Sequence, residues 1–447
     1  MVTESDTGDP IAGVNVGIEN TRMGSSTSLD GQFVIRNIAP GTYTLSVSAV
    51  GFAGKQLQVT VSANQTTNLT IALEQTFLEL EEVEITGRTI ESYKNDYSFS
   101  ATKTATLSKN IPQAISVVTK EVLEDQKIYR LNEAVKNVSG ANQFSVYNDF
   151  TMRGFRSGGT RLLNGLKAGF GFWNQPLTPH IERIEVIKGP ASALFANTNP
   201  GGTINMVTKK PLEISSQRIS LSTGSFNTYR ATTDLTGPLN DDRSILYRLN
   251  VGYEDSDSFR NLQFNRSLLV APSVSFIPND QTRVNVDLVL SDNETRLDRG
   301  QPIFNQSRDL TSTPVDFSLS QPDDFLNITD FYVTVSLSHQ FSDALSFNLS
   351  YLKFSYDENL AEHRTSNVFL PDDPTTLQLA YIRRKQVRNT DNLTTYFVGK
   401  RQTGPVQHKA LIGFDFNQVD DNRSQWGARG DDFFIVGSDS LQGGQRR

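Results

Sequence analysis

From residue 213 onward the chain alternates apolar and polar side chains with a period of two, segment after segment. Val284, Val286, Leu288 and Leu290 alternate with Arg283, Asn285, Asp287 and Val289, and Ile245, Tyr247, Leu249, Val251 and Tyr253 alternate with Leu246, Arg248, Asn250, Gly252 and Glu254. The same holds around Phe331, Val333, Val335 and Leu337, and around Ala410, Ile412, Phe414 and Phe416. Successive residues of a strand point to opposite faces, so each segment carries one apolar and one mostly polar face. The pattern predicts nine strands, near 216–224, 227–237, 243–255, 263–277, 282–295, 329–341, 344–357, 385–401 and 406–419.

Connection lengths decide what such strands build. The links near "PLNDD", "PNDQ", "SDA" and "QTGP" are short, those at 296–328 and 358–384 are long and polar, and the two kinds alternate. All short links then lie at one end. Long strands, short turns on one side, long loops on the other and an outward apolar face are the pattern of an outer-membrane β-barrel, whereas a soluble jelly roll gives shorter strands without that asymmetry. No apolar run reaches the roughly 18 residues that a membrane-spanning helix needs. Nine strands cannot close such a barrel, so a fragment lacking the C-terminal strands is expected, and the start "MVTESDTGDPIAG" reads as entry partway into a strand.

Three regions precede the strands. Residues 1–75 carry short β-branched runs (Val14–Ile18, Gln32–Ile35, Thr42–Val47, Gln56–Val61, Asn68–Leu73) separated by turn residues, as in a small β-sandwich. Residues 76–100 read as a linker holding one extended acidic strip, "LEEVEITGR". Residues 101–212 read as mixed α/β: a strand at Ala114–Thr119, then Leu131, Ala134, Val135 and Val138 on one helical face, with Gly140 as the stop. Between Ser157 and Thr178 lie five glycines with Phe170, Phe172 and Trp173, which points to exposed aromatics on a loop. The stretch "VIKGPASALFANTNPGGTINMVTKKP" at 186–211 fits neither Gly-rich phosphate-binding pattern; its glycines suit tight turns, and Pro190 suits the first position of a short helix.

Chemistry is narrowed by what is missing. A net charge of −7 argues against a nucleic-acid partner, and zero cysteines remove disulfides, thiolate metal sites and cysteine nucleophiles. The four histidines, His180, His339, His363 and His408, form no H-x-x-E zinc motif, and no catalytic triad or H-E-x-x-H motif is present, so neither an enzyme nor a bound cofactor is expected.

The stretches "PIAGVNVGIENT", "SLDGQFVIRNIAPGTYTLSVSAVGF" and "LTIALE" resemble the carboxypeptidase regulatory-like domain, a transthyretin-like sandwich. "TKTATLSKNIPQAISVVTKEVLEDQ", "FTMRGF" and "IERIEVIKGPASALFANTNPGGTINMVTKKP", in that order, resemble the plug of TonB-dependent outer-membrane receptors, within them the ferric-siderophore group. Glycan-importing relatives usually carry Asp-Gly where this chain has Asn164-Gly165. The resemblance implies a mainly β chain: sandwich at 1–75, linker with TonB box at 76–100, plug at 101–212, and at 213–447 the first part of a barrel of about 22 antiparallel strands.

It also implies a function. A ferric siderophore would dock between plug and barrel loops in the outer-membrane lipid and be released inward when TonB, powered from the inner membrane, pulls on the box. Glu82, Val83, Glu84, Ile85, Thr86 and Gly87 make the candidate box, because a short extended strip can pair with a strand of TonB. Phe170, Phe172 and Trp173 would form an aromatic platform, or pack the plug against the wall, with Arg156 and Arg161 attracting an anionic chelate. Iron would be held by the chelator. Arg153 and Lys188 match positions where the family locks plug to barrel through glutamates beyond residue 447; local pairing with Glu182 or Glu185 is the alternative. Other readings are a corrinoid, haem or oligosaccharide receptor and, from another class, a secreted β-sandwich adhesin, which leaves the strands after 213 unexplained.

Overall fold

The computed structural model describes residues 1–73, 93–108, 111–156, 161–189, 200–301, 313–370 and 373–435, with short gaps inside the first three ranges and at 405. Two units emerge, 1–88 with 97–107 and 89–96 with 108–447. The first holds β1 (Val2–Glu4), β2 (Asn15–Ile18), β3 (Gly24–Ser26), β4 (Gly41–Ala49), β5 (Phe52–Val61) and β6 (Ile71–Leu73), with a hairpin of β7 (Tyr97–Ser98) and β8 (Thr106–Leu107). Four of these strands pair in the order β3-β2-β4-β5, and β1 pairs in parallel with β6. Val2, Val14, Val16, Leu45, Val47, Val59 and Ile71 make the core. The strand expected at Gln32–Ile35 does not form. Phe33 and Ile35 pack against that core without pairing, and β3 takes the place beside β2.

In the second unit, β9 (Ala114–Thr119) leads into α1 (Lys120–Asp125) and α2 (Leu131–Val135). Leu131, Ala134, Val135 and Val138 are all buried, and the helix ends before Gly140, whose φ is 73°. Then follow β10 (Ala141–Gln143), β11 (Phe150–Met152), β12 (Phe155–Arg156), β13 (Arg161–Leu163), β14 (Leu166–Ala168), β15 (Ile181–Lys188) and β16 (Gly202–Thr208). Strands β10, β11 and β12 form one sheet, and a second runs β14-β13-β16-β15-β9. Asn164 (φ 50°) and Gly165 (φ 78°) make the two-residue turn between β13 and β14, where both central residues of a tight hairpin need positive φ. The helix expected from Pro190 and the strip at 82–87 lie outside the described residues.

The rest is one antiparallel sheet in chain order: β17 (Ser216–Gly224), β18 (Thr228–Pro238), β19 (Ile245–Asp257), β20 (Phe264–Asn279), β21 (Thr282–Thr295), β22 (Phe325–Ser342), β23 (Leu345–Leu370), β24 (Asp373–Thr403) and β25 (Val406–Ile435). Burial is inside out. Arg248, Asn250, Glu254, Ser275, Asn285 and Asp287 are buried on the face turned to the preceding domain, while Ile219, Leu221, Phe276, Phe331, Phe397 and Ile412 are exposed on the other. Apolar residues outward and polar residues inward suit a wall immersed in lipid. No described helix is long and apolar enough to cross a membrane.

Where a long link was expected at 358–384, residues 358–370 and 373–384 are strand. β23 and β24 continue as a paired ribbon, with Glu358 opposite Gln386 and Arg364 opposite Ala380. Their outward residues include Asp357 and Asn389, so this part lacks the apolar face that marks a strand in lipid. Pairing to a neighbour, without hydrophobic alternation, sustains the ladder there.

Candidate functional site

The chain from β14 toward β15 runs hard against the wall. A Cβ built on Gly169 would lie 2.6 Å from Thr390 Oγ1, and one on Gly171 would lie 2.1 Å from Tyr356 Cε2. Only glycine allows that approach. Between them the Phe170 ring meets Phe354 edge-on at 4.8 Å and Tyr332 at 6.2 Å, and those two rings stack on each other at 5.2 Å. Phe170 is therefore buried in the seam, a correction to the expected exposed platform.

The next two residues turn toward the end of the barrel that bears the link 296–324. Phe172 and Trp173 meet edge to face at 4.7 Å, and Tyr147 completes a trio at 5.6 Å from Phe172 and 5.0 Å from Trp173. Tyr147 is pinned from both sides: its hydroxyl donates to the Asp298 carbonyl at 2.6 Å, and Asn148 N donates to the Phe172 carbonyl at 2.9 Å. Burial pushes the Tyr147 phenol above its ordinary range.

Guanidinium groups lie over the trio. Arg299 sits 4.5 Å and Arg384 4.9 Å from the Trp173 ring centroid, within range of cation–π attraction. Each is held by a wall carboxylate, Arg299 Nε to Glu362 at 2.7 Å and Arg384 Nε to Glu358 at 2.5 Å, and the Tyr356 hydroxyl also donates to Glu358. On the plug side Arg156 donates to Asp149 at 2.7 Å and lies 4.6 Å from the Phe144 ring and 5.9 Å from Phe172. The result is an amphipathic surface of aromatic faces with donor-rich edges. It suits a chelate with flat or apolar portions and oxygen acceptors, and no described group of His, Asp and Glu is arranged to hold a metal ion.

Arg161 does not belong to this surface. It is 1% exposed within β13, its guanidinium is 4.8 Å from the Phe150 ring, and burial pulls its pKa down to about 10. The structure brings Arg156, Phe172 and Trp173 together and adds Tyr147 and Arg299, while Arg384, 3% exposed and held by Glu358, supports the Trp173 ring from within the wall. Arg299 and Arg384 were invisible as partners in the sequence because their positions depend on long-range register.

Arg153 and Lys188 are neighbours: a Cβ on Gly189 would meet Arg153 Nη1 at 2.9 Å. Lys188 donates to Ser116 Oγ at 2.9 Å and the Ser139 carbonyl at 2.8 Å, and burial, with Arg153 adding repulsion, lowers its pKa. The local alternative does not form, because Glu182 pairs with Lys120 at 3.3 Å and Glu185 with Arg183 at 2.7 Å. Other ion pairs tie the plug-like domain to the wall: Arg130 to Glu254 (Nη1 to Oε2, 3.1 Å), Lys209 to Asp234 at 3.0 Å, and Lys210 to Asp287. The signal for them was present in the charged residues Asp234, Glu254 and Asp287 on inward-facing strand positions, since a buried charge needs a partner.

Residues 1–85 match the CarboxypepD_reg-like domain family, and residues 108–203 match the TonB-dependent receptor plug domain family. The metal-pseudopaline receptor of Pseudomonas aeruginosa is 32% identical over 336 residues, 74% of this chain and 47% of that protein. The ferrichrome outer membrane transporter and phage receptor of Escherichia coli is 26% identical over 371 residues, 74% of this chain and 48% of that protein. Thus the chain spans about half the length of the curated relatives it matches. Among solved structures, the pyoverdine outer membrane receptor of P. aeruginosa superposes with a TM-score of 0.70 at 19% identity, over 76% of this chain and 51% of that one. The ferric-catecholate import receptor of E. coli in its open form gives 0.65 at 22%, over 72% and 51%.

Proposed function

This chain belongs to the TonB-dependent outer-membrane receptors, and from that premise we propose that it imports a ferric siderophore into the periplasm, energised through TonB. The observation that carries the cargo reading is the half-buried trio Tyr147, Phe172 and Trp173 with Arg299 over Trp173 and Arg156 beside Phe172. It offers apolar contact and hydrogen-bond donors and leaves the metal to the chelator. Relatives named for ferrichrome and for metal-pseudopaline support the class. Residues 82–87 are proposed as the TonB box on the strength of their alternating, strand-prone sequence. Arg153 and Lys188, two adjacent cations without a carboxylate partner among the described residues, are proposed as the cations that lock plug to barrel through glutamates of the barrel.

Uptake of radioiron offered as ferrichrome, ferrioxamine B, ferripyoverdine and a ferric triscatecholate, in cells with and without TonB, tests the reading. TonB-dependent accumulation of at least one chelate is expected. No accumulation of any, with the receptor present in the membrane, would remove it. Val83→Pro or Ile85→Pro should abolish uptake while binding persists; undiminished uptake would remove the box assignment.

A further inference from the structure

The outer end of the plug-like domain is built by the sheet β10-β11-β12, its loop 144–149 and the loop that carries Phe172 and Trp173. Three large apolar side chains stand out from it: Phe144 is 56%, Val146 66% and Phe155 53% exposed. Single exposed apolar residues are ordinary, but here they gather beside the trio Tyr147, Phe172 and Trp173, with Phe144 and Phe172 joined through the Arg156 guanidinium.

Charge at this end cancels. Across 141–149, 154–160 and 169–175 the sequence holds one cation, Arg156, and one anion, Asp149. They pair at 2.6 Å, and Asp149 is 0% exposed, so the carboxylate is fixed in place. The flanking arginines do not add to the surface, because Arg153 lies against Gly189 and Arg161 is buried beside Phe150. The wall guanidiniums over Trp173 are neutralised as well, Arg384 by Glu358 and Arg299 by Glu362, which also meets Arg364 at 3.6 Å.

Ferric chelates differ in charge. Three monoanionic hydroxamates cancel the charge of the ferric ion, whereas three dianionic catecholates leave a trianion. A trianion set on this surface loses water and meets guanidiniums already paired with carboxylates, which is costly. A neutral centre loses little and buries its hydrocarbon arms against Phe144, Val146 and Phe155.

We infer that the cargo is a ferric tris-hydroxamate, uncharged at its metal centre, selected over anionic chelates by Phe144, Val146 and Phe155 and by Asp149, which cancels Arg156. The inference rests on the import reading above and narrows its cargo class.

Binding of radioiron-labelled ferrichrome, ferrioxamine B and a ferric triscatecholate is measured on outer membranes holding the full-length receptor. Wild type should bind the better of the two hydroxamates at least about tenfold more tightly than the triscatecholate. Val146→Lys adds a lone cation at an exposed position and should shift that affinity ratio toward the triscatecholate by at least about tenfold, an effect that fades as salt rises. Asp149→Asn, which releases Arg156, should shift it the same way. Phe144→Ala with Phe155→Ala should weaken hydroxamate binding about tenfold, and a thermal melt checks that the fold is kept. A wild-type receptor that takes up only the triscatecholate or ferripyoverdine, or a ratio unmoved by Val146→Lys, overturns the assignment and leaves import in place. If the wild type accumulates none of the four chelates, the import reading fails instead.

Discussion

Gly171 sits so close to Tyr356 that a Cβ at position 171 would lie 2.1 Å from the ring. The contact joins the plug to a strand whose Glu358, two residues on, holds Arg384 over Trp173. Gly171→Ala must therefore displace either the loop or the ring. Overpacking of this kind costs about 1–3 kcal/mol. The expected outcome is a lower melting temperature in detergent and faster proteolysis of the plug, with the barrel still inserted.

Trp173 and Phe170 stand three residues apart in one loop and separate two roles. Trp173→Ala removes the ring under two guanidinium groups and should weaken chelate binding by about 2 kcal/mol, roughly 30-fold in Kd, with a smaller fall in melting temperature than Phe170→Ala because Trp173 is only partly buried. Phe170→Ala empties a buried aromatic site and should cost about 3–5 kcal/mol of stability. Isothermal titration and thermal melts on both variants check the division; equal binding losses would contradict it.

That division shows where sequence reasoning stops. The period-two pattern around Val284–Leu290 identified both the strands and the face each side chain takes, because lipid on one side demands apolar residues there, while the inward face admits polar residues and the occasional Val289. The turn at Asn164-Gly165 was equally plain, since it depends on two local dihedral angles. Phe170, Phe172 and Trp173 share composition and neighbourhood, and only Tyr332, Phe354 and Arg299, far along the chain, distinguish them. Arg161 likewise looked like an exposed cation until its place beneath Phe150 was known. The ribbon from 358 to 385 was missed because pairing above the lipid needs no apolar alternation.

Lys210 and Asp287 form a nearly buried pair between the end of the plug and β21. Asp287→Asn leaves the ammonium group without its counter-charge and should cost about 3–5 kcal/mol, whereas Lys210→Met with Asp287→Leu should recover most of that loss. Chemical denaturation of the plug, followed by protease susceptibility, measures both. A single variant as stable as wild type would mean that water reaches the pair.

His180 predicts a pH dependence with a definite sign. Burial, assisted by the nearby Lys209 charge, pulls its pKa down to about 3, and its Nε2 is 2.6 Å from the Tyr332 hydroxyl at the seam. The folded state thus keeps the ring neutral, while the unfolded chain takes up a proton near the ordinary value of about 6.5. Stability from this residue is fully present above about pH 6.5 and is lost as pH falls toward 3, at up to about 1.4 kcal/mol per pH unit. Other groups titrate in the same range, so the test is a difference: melting temperature from pH 7.5 to 5 should fall less steeply in His180→Gln than in wild type. Parallel curves would show that His180 is protonated in the folded receptor, and with it that water enters the seam beside Tyr332.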